Sequence, residues 1–277
     1  MTLTPRIITG LPSGIKPRPR ADFRPTEFDK AIATKGYRVY WSRAAVCPCR
    51  NNEQTDQPDP TCSLCRGYGY LYFLPDPALS ASSQDAEGNP IILNEAQDGV
   101  LIWVLMTQLT QDVQVFEKFG EWVFGMARCS AQPQNRLGYR DRLVAVDSEM
   151  VWAQLIEADG TNQIQVVGAY KGGGPISKGL RYGLLVVNLL RSASTTYQQG
   201  VDFTLSEVGG INWMATPPDE GTLLTVHGYI HPQWVVMDHV HSVRDTVIAG
   251  STPSVHTQEF RKLPVQVVAT LDFLADA

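Results

Sequence analysis

From Ile91 onward the chain is a succession of short apolar runs, each about the length of one strand, separated by Gly, Asp, Asn and Pro. Val100 to Thr110, Val113 to Phe116, Glu121 to Met126, Arg142 to Val146 and Val151 to Ile156 are rich in Val, Leu, Trp and Phe, which suit a pleated, half-buried surface. No segment sustains the 3.6-residue period of a long amphipathic helix, and no repeat of fixed length is present. Strands this short bury their apolar faces only by stacking or closing on one another. The expected fold is therefore mainly β, with a β-barrel or β-sandwich body. Val201 to Leu205 and Ile211 to Met214 read as a hairpin turning through Glu207-Val208-Gly209-Gly210, where glycine supplies a positive φ. Asp147-Ser148 reads as another hairpin turn, and Thr222 to Tyr229 as a further strand after Pro217-Pro218 and Gly221. In PVQVVATLDFL the residues Val265, Val267, Ala269, Leu271 and Phe273 alternate onto one face, as in a half-buried strand.

Upstream the pattern changes. Residues 1 to about 25, MTLTPRIITGLPSGIKPRPRADFRP, are broken by Pro and Gly and read as an extended arm, expected to be disordered in a free subunit and ordered on an adjacent subunit or on a neighbouring ring. A short helix with Phe28, Ile32 and Ala33 is expected next, then Gly36 and a strand through Arg38-Val39-Tyr40-Trp41. Leu74 to Asn89 reads as a loop. The expected division is an N-terminal arm and short helix (1–45), a metal knuckle (46–75), a barrel or sandwich part (76–196), a β-hairpin insertion (197–230) and C-terminal strands that complete the β body (231–277).

Charge narrows the partners. The net charge is −5, but Arg6, Lys16, Arg18, Arg20 and Arg24 against Asp22 give the arm +4, leaving −9 for the rest. A surface built throughout to hold nucleic acid needs the opposite balance, because Lys and Arg must replace counterions. The most apolar stretch, Gly99 to Met106, is far short of the roughly 18 residues of a spanning helix, and the N-terminus lacks a signal-peptide pattern. Folding in a reducing cytosol with no membrane partner is expected, and there clustered cysteines favour a metal over disulfides.

Four of the five cysteines form two close pairs, Cys47-Pro48-Cys49 and, after twelve residues, Cys62-Ser63-Leu64-Cys65. Four thiolates at this spacing can close a tetrahedron around zinc, which imposes no geometry of its own. Pro48 restricts the tighter first pair. Gly67, after the second, lets backbone amides turn toward the sulfurs. Four protein ligands leave no position for water or substrate, so the expected zinc is structural and the chain is not expected to be an enzyme. No βαβ context supports a redox Cys-x-x-Cys. Cys129 stands apart as a buried core thiol.

The competing chemistry is thinner. His227, His231, His239, His241 and His256 lie near Asp238 and Asp245, and His239-x-His241 in a regular strand would share a face, but no third ligand stands at a recognised spacing. Lys171-Gly172-Gly173-Gly174-Pro175 lacks the spacing of a phosphate loop. No Gly-x-Ser-x-Gly elbow and no catalytic carboxylate pair is present. Cys62 to Gly69 looks like one repeat of the zinc module of bacterial co-chaperones, which use several; this chain has one.

Six strings in order resemble a family of tailed-bacteriophage virion proteins from the neck: FDKAIATKGYRVYWSRAAVCPC (Phe28 to Cys49), CSLCRGYGYLY (Cys62 to Tyr72), GYRDRLVAVDS (Gly138 to Ser148), YQQGVDFTL (Tyr197 to Leu205), GYIHPQWVVMDHVHSVRDT (Gly228 to Thr246) and FRKLPVQVVATLDFL (Phe260 to Leu274). The resemblance implies a structural virion protein, assembled in the host bacterial cytoplasm. It would form a homo-oligomeric ring, a hexamer or dodecamer, between the portal and its adaptor on one side and tail-terminator or tail proteins on the other. Duplex DNA would pass through the lumen without sequence-specific binding. Two other readings are a zinc-knuckle nucleic-acid-binding protein and a tail or baseplate protein with a binding or hydrolytic role.

Overall fold

A computed structural model of the chain describes residues 25–50, 58–59, 62–65, 68–75, 99–108, 125–167, 178–241, 245–249, 258–262 and 264–275. The arm (residues 1–24), most of the Leu74 to Asn89 loop, the run Val113 to Phe116, the start of the run Glu121 to Met126 and the Lys171 to Pro175 loop lie outside these residues. Helix α1 (Pro25–Lys35) is followed by β1 (Tyr37–Val46), β2 (Tyr70–Phe73), β3 (Val100–Gln108), β4 (Met126–Ala131), β5 (Arg142–Ala145), β6 (Met150–Glu157), β7 (Gln163–Ile164) and β8 (Leu184–Arg191). Then come β9 (Thr196–Tyr197), β10 (Phe203–Leu205), β11 (Ile211–Trp213), β12 (Leu223–Ile230), β13 (Gln233–His241), β14 (Asp245–Ala249), β15 (Gln258–Lys262), β16 (Val265–Leu271) and α2 (Asp272–Ala275).

The fold is mainly β, as its short apolar runs lead one to expect, and its body is a closed six-stranded antiparallel barrel. Strand β1 pairs with β3, β3 with β4, β4 with β16, β16 with β13, and β13 with β5, which returns to β1. Alternate residues fill the interior: Val39 and Trp41, Ile102 and Val104, Ala127, Cys129 and Ala131, Val267 and Ala269. Small side chains at Ala127, Ala131 and Ala269 let the strands close tightly, as a barrel of few strands requires. The interior is packed, so this barrel is a core and not a passage. Cys129 is fully buried there, and burial pushes its thiol up to about 12. Helix α1 begins at Pro25 with Glu27 in its first turn, buries Ile32 completely and ends where the Gly36 amide donates to the Ile32 carbonyl.

Between β5 and β13 the chain builds a second unit with its own core. One sheet runs β6-β12-β8-β9 and the other β10-β11-β7, and Ile156, Leu190, Phe203, Ile211, Leu224 and Val226 pack between them. The segment 197–230, expected as a hairpin insertion, thus shares one core with Met150 to Glu157 and Leu184 to Arg191. Its hairpin is present as β10 and β11 with Gly209 at φ 80°. Asp147-Ser148 is not a hairpin turn: β5 and β6 on either side join different sheets. The Val146 amide donates to the Arg38 carbonyl and the Asp147 carboxylate pairs with the Arg38 guanidinium, so this corner belongs to β1.

Strand β16 also stops earlier than its alternation suggests. Val267 and Ala269 are buried as expected, but the chain turns into α2 at Asp272, and Phe273 leaves the strand face. The cause is a buried polar junction between the two units. Asp272 accepts from the Tyr182 hydroxyl at 3.0 Å and faces Arg181 at 3.5 Å, while Trp152 packs on Tyr182 and Phe273. Burial, with the Asp272 charge beside it, pushes the Tyr182 phenol far up. Replacing Asp272 with Asn keeps an acceptor but removes the charge facing Arg181. Chemical denaturation of that variant should show a loss of about 1–3 kcal/mol, and an unchanged midpoint would mean the ion pair does not hold the junction.

Candidate metal centre

The site is built from the end of β1, the 3-10 turn Pro48–Arg50 and the approach to β2. The N-terminal half of β1 belongs to the barrel; its last four residues pair instead with β2, Arg43 opposite Phe73 through Val46 opposite Tyr70. The cysteine loop is thus a protrusion on a barrel strand. Cys47 is the first residue beyond β1, and its amide donates to the Gly69 carbonyl at 2.9 Å, which ties the start of the loop to its end. Two tight turns shape the pairs: the Arg50 amide donates to the Cys47 carbonyl and the Tyr68 amide to the Cys65 carbonyl, both at 3.0 Å.

The sulfurs converge. Cys47 Sγ lies 3.8 Å from Cys62 Sγ, Cys49 Sγ lies 3.4 Å from Cys65 Sγ, and all four are within 4.8 Å of one another. All are free thiols; Cys47 and Cys65 are buried and the other two partly so. The four residues singled out by their spacing can hold a metal ion together, and among the described residues no other group of His, Cys, Asp and Glu is close enough to do so.

The surroundings prepare the sulfurs for charge. The Gly69 amide donates to Cys65 Sγ at 3.3 Å, and Gly69 has φ 73° with the Arg50 side chain where a Cβ would stand. The amide-pointing role expected of Gly67, which lies outside the described residues, is filled here by Gly69. Amide donation from Cys65, and next from Leu64, lowers the Cys62 thiol to about 7, whereas burial raises Cys47 and Cys49. A bound cation reverses that rise, because ligation deprotonates the thiol.

Arginines clamp the protrusion onto the barrel. Arg142, which donates to Ser42 Oγ at 3.3 Å, lies over the Tyr72 ring at 4.2 Å; Arg50 and Arg140 flank Tyr70 at 4.9 and 5.3 Å. Arg140 adopts φ 66°, a left-handed conformation rare for a side chain of this size. Beneath them the buried Asp141 accepts from Trp41 Nε1 at 2.8 Å, the Gly138 amide at 2.6 Å and the Ala44 amide at 3.1 Å, and faces Arg43 at 3.4 Å. None of these residues was expected from the sequence to support the metal site. The signal that marks some of them is the matching spacing of Tyr70-x-Tyr72 and Arg140-x-Arg142, whose guanidinium groups lie over those rings.

The histidines are not assembled into a site among the described residues. His231 Nδ1 is 3.1 Å from the Ser148 carbonyl, and the His239 amide donates to its neighbour Asp238. The register of β13 on β16 shifts between His239 and His241. The His241 side chain and His256 lie outside the described residues. A cleft of about 290 Å³ at one mouth of the barrel is lined by Tyr37, Met106, Thr107, Met126, Trp234 and Leu271. No described helix is long and apolar enough to cross a membrane. No family model matches the chain, and no curated protein matches it either.

Proposed function

We propose that this chain is a structural virion protein of a tailed bacteriophage, a ring-forming neck component between the portal-adaptor and the tail, carrying one structural zinc on Cys47, Cys49, Cys62 and Cys65. The observation that carries the reading is the number of large apolar side chains outside two well-packed cores. Leu101 and Trp103 lie on the barrel, and Val151, Leu155, Val186, Leu189 and Leu223 on the second unit, each at least 38% exposed. Outward apolar side chains of this kind suit a subunit whose faces are covered by neighbours. The ordered strings from Phe28 to Leu274 support the phage assignment, and the acidic body suits a lumen that lets DNA slide.

Zinc fits the donor set. Zinc–thiolate bonds of about 2.3 Å place the corners of a regular tetrahedron about 3.8 Å apart, and the Cys47–Cys62 and Cys49–Cys65 separations of 3.8 and 3.4 Å lie close to this. Four thiolates fill the coordination sphere, so the ion holds the loop in shape and takes no substrate. The nucleic-acid reading draws less support: among the described residues Arg50, Arg140 and Arg142 beside the knuckle are stacked on its own tyrosines.

Electron microscopy of the purified full-length protein and of phage particles labelled with an antibody to it tests the role. Closed rings, and label at the head–tail junction, are expected. A chain that stays monomeric at high concentration and is missing from purified particles would contradict the proposal.

A further inference from the structure

The outward face of the β6-β12-β8 sheet carries a cluster of apolar side chains, with the exposed Arg191 and Thr225 in the row of Leu155, and has an acidic end. Across the sheet Val151 stands opposite Tyr229 and Tyr229 opposite Val186; the next row joins Ala153, His227 and Leu189. Val151, Leu155, Val186, Leu189 and Leu223 are between 38% and 53% exposed, while the reverse face supplies Ile156, Leu224 and Val226 to the core. Where β6 ends and β12 begins, Glu157, Asp159, Asp219 and Glu220 gather around the Ala158–Thr222 and Gly221–Ala158 backbone bonds. None of these four carboxylates makes an ion pair among the described residues. Strand β6 is also the outer strand of its sheet: among the described residues nothing pairs with its free edge.

We infer that this face is the seat of the N-terminal arm, residues 1–24, of a neighbouring copy of the chain. The inference rests on the reading of the protein as self-assembling and names the contact that would drive assembly. Three features of the arm match the face. Ile7, Ile8, Leu11 and Ile15 supply apolar side chains, and the arm's charge of +4 answers the four carboxylates at the sheet's end. Arg6 to Leu11 is a proline-free run between Pro5 and Pro12, so every residue in it has an amide to donate to the open edge of β6. The arm ends at Pro25, where α1 begins, and 24 extended residues reach on the order of 80 Å, enough to cross onto an adjacent subunit. Exchange of an arm for a face is a head-to-tail contact, the kind that closes rings.

Complementation between two full-length variants tests this. Val151→Asp with Val186→Asp spoils the face at exposed positions and leaves both cores intact; Ile7→Asp with Ile8→Asp spoils the arm. Circular dichroism and metal content check that both fold. By sedimentation velocity the wild type is expected to assemble and each variant to weaken assembly at least tenfold. An equimolar mixture of the two should form a 1:1 complex that grows no further, since one intact arm and one intact face remain to meet. A face variant that assembles like wild type, or a mixture that stays monomeric, overturns the inference while leaving self-assembly standing. Normal assembly of the arm variant beside failure of the face variant also overturns it, and assigns the face to some other surface. A wild-type chain that is monomeric at every concentration removes both the inference and the reading beneath it.

Discussion

Replacing Cys65 with Ser should abolish metal binding and release the loop between β1 and β2 while leaving the barrel closed. Cys65 is buried, lies 3.4 Å from Cys49 Sγ and is the sulfur that receives the Gly69 amide. Three thiolates and a hydroxyl cannot match four sulfurs for a thiophilic ion, and structural zinc sites supply on the order of 10–16 kcal/mol of apparent binding free energy. The loss should stay local because barrel closure runs through the β1 pairings with β3 and β5 at residues 37–42, upstream of the cysteines. Hydrogen exchange reads this directly. The amides of Cys47, Tyr68 and Gly69 should lose protection, while those of Val104, Cys129 and Val267 should keep theirs. Global unfolding of the variant would show that the knuckle is part of the barrel's cooperative unit.

Asp141→Ala should be the most damaging single change in the body, at about 3–5 kcal/mol, the usual cost of removing one partner from a buried charged network. It strands the Trp41 indole N–H and the Gly138 and Ala44 amides and leaves Arg43 without its counter-charge. The carboxyl also has a pH signature. Burial outweighs its donors and Arg43 and raises its pKa above the usual carboxylate range. Between the unfolded and folded values the folded state binds the extra proton, so this group's contribution is full at low pH and falls as pH rises through the raised value. Denaturation of the wild type and of Asp141→Asn across that window should differ in slope, the variant being flatter. Equal slopes would show that Asp141 titrates as it does in the unfolded chain.

The local features of this fold were legible and the long-range ones were not. Cysteine spacing brought out the four cysteines whose sulfurs lie close enough to hold a metal ion, because two turns and one loop decide whether the sulfurs meet. The β10–β11 hairpin was legible because Gly209 and Gly210 mark the turn, and the C-terminal strand because its interior residues alternate. Strand closure has no such local mark: the pairings of β1 with β5 and of β4 with β16 join residues about a hundred or more positions apart. Strand β8 was not among the expected strands. Its apolar run LLVVNLLR has no clean alternation, and its register on β12 shifts twice, so inward and outward residues do not follow a period of two. Asp147-Ser148 misled because a turn between two strands looks the same whether they pair with each other or enter different sheets. The end of β16 could not be seen either, since what draws the chain into α2 is Arg181 and Tyr182, about 90 residues earlier.

Metal analysis of the purified full-length protein under reducing conditions, combined with X-ray absorption at the metal edge, tests the central claim of one closed four-thiolate centre most directly. One zinc per chain with four sulfur neighbours at about 2.3 Å, and no oxygen or nitrogen ligand, is the expected result. A wild-type protein that carries no metal under these conditions, or one whose metal carries an exchangeable water, would contradict the account.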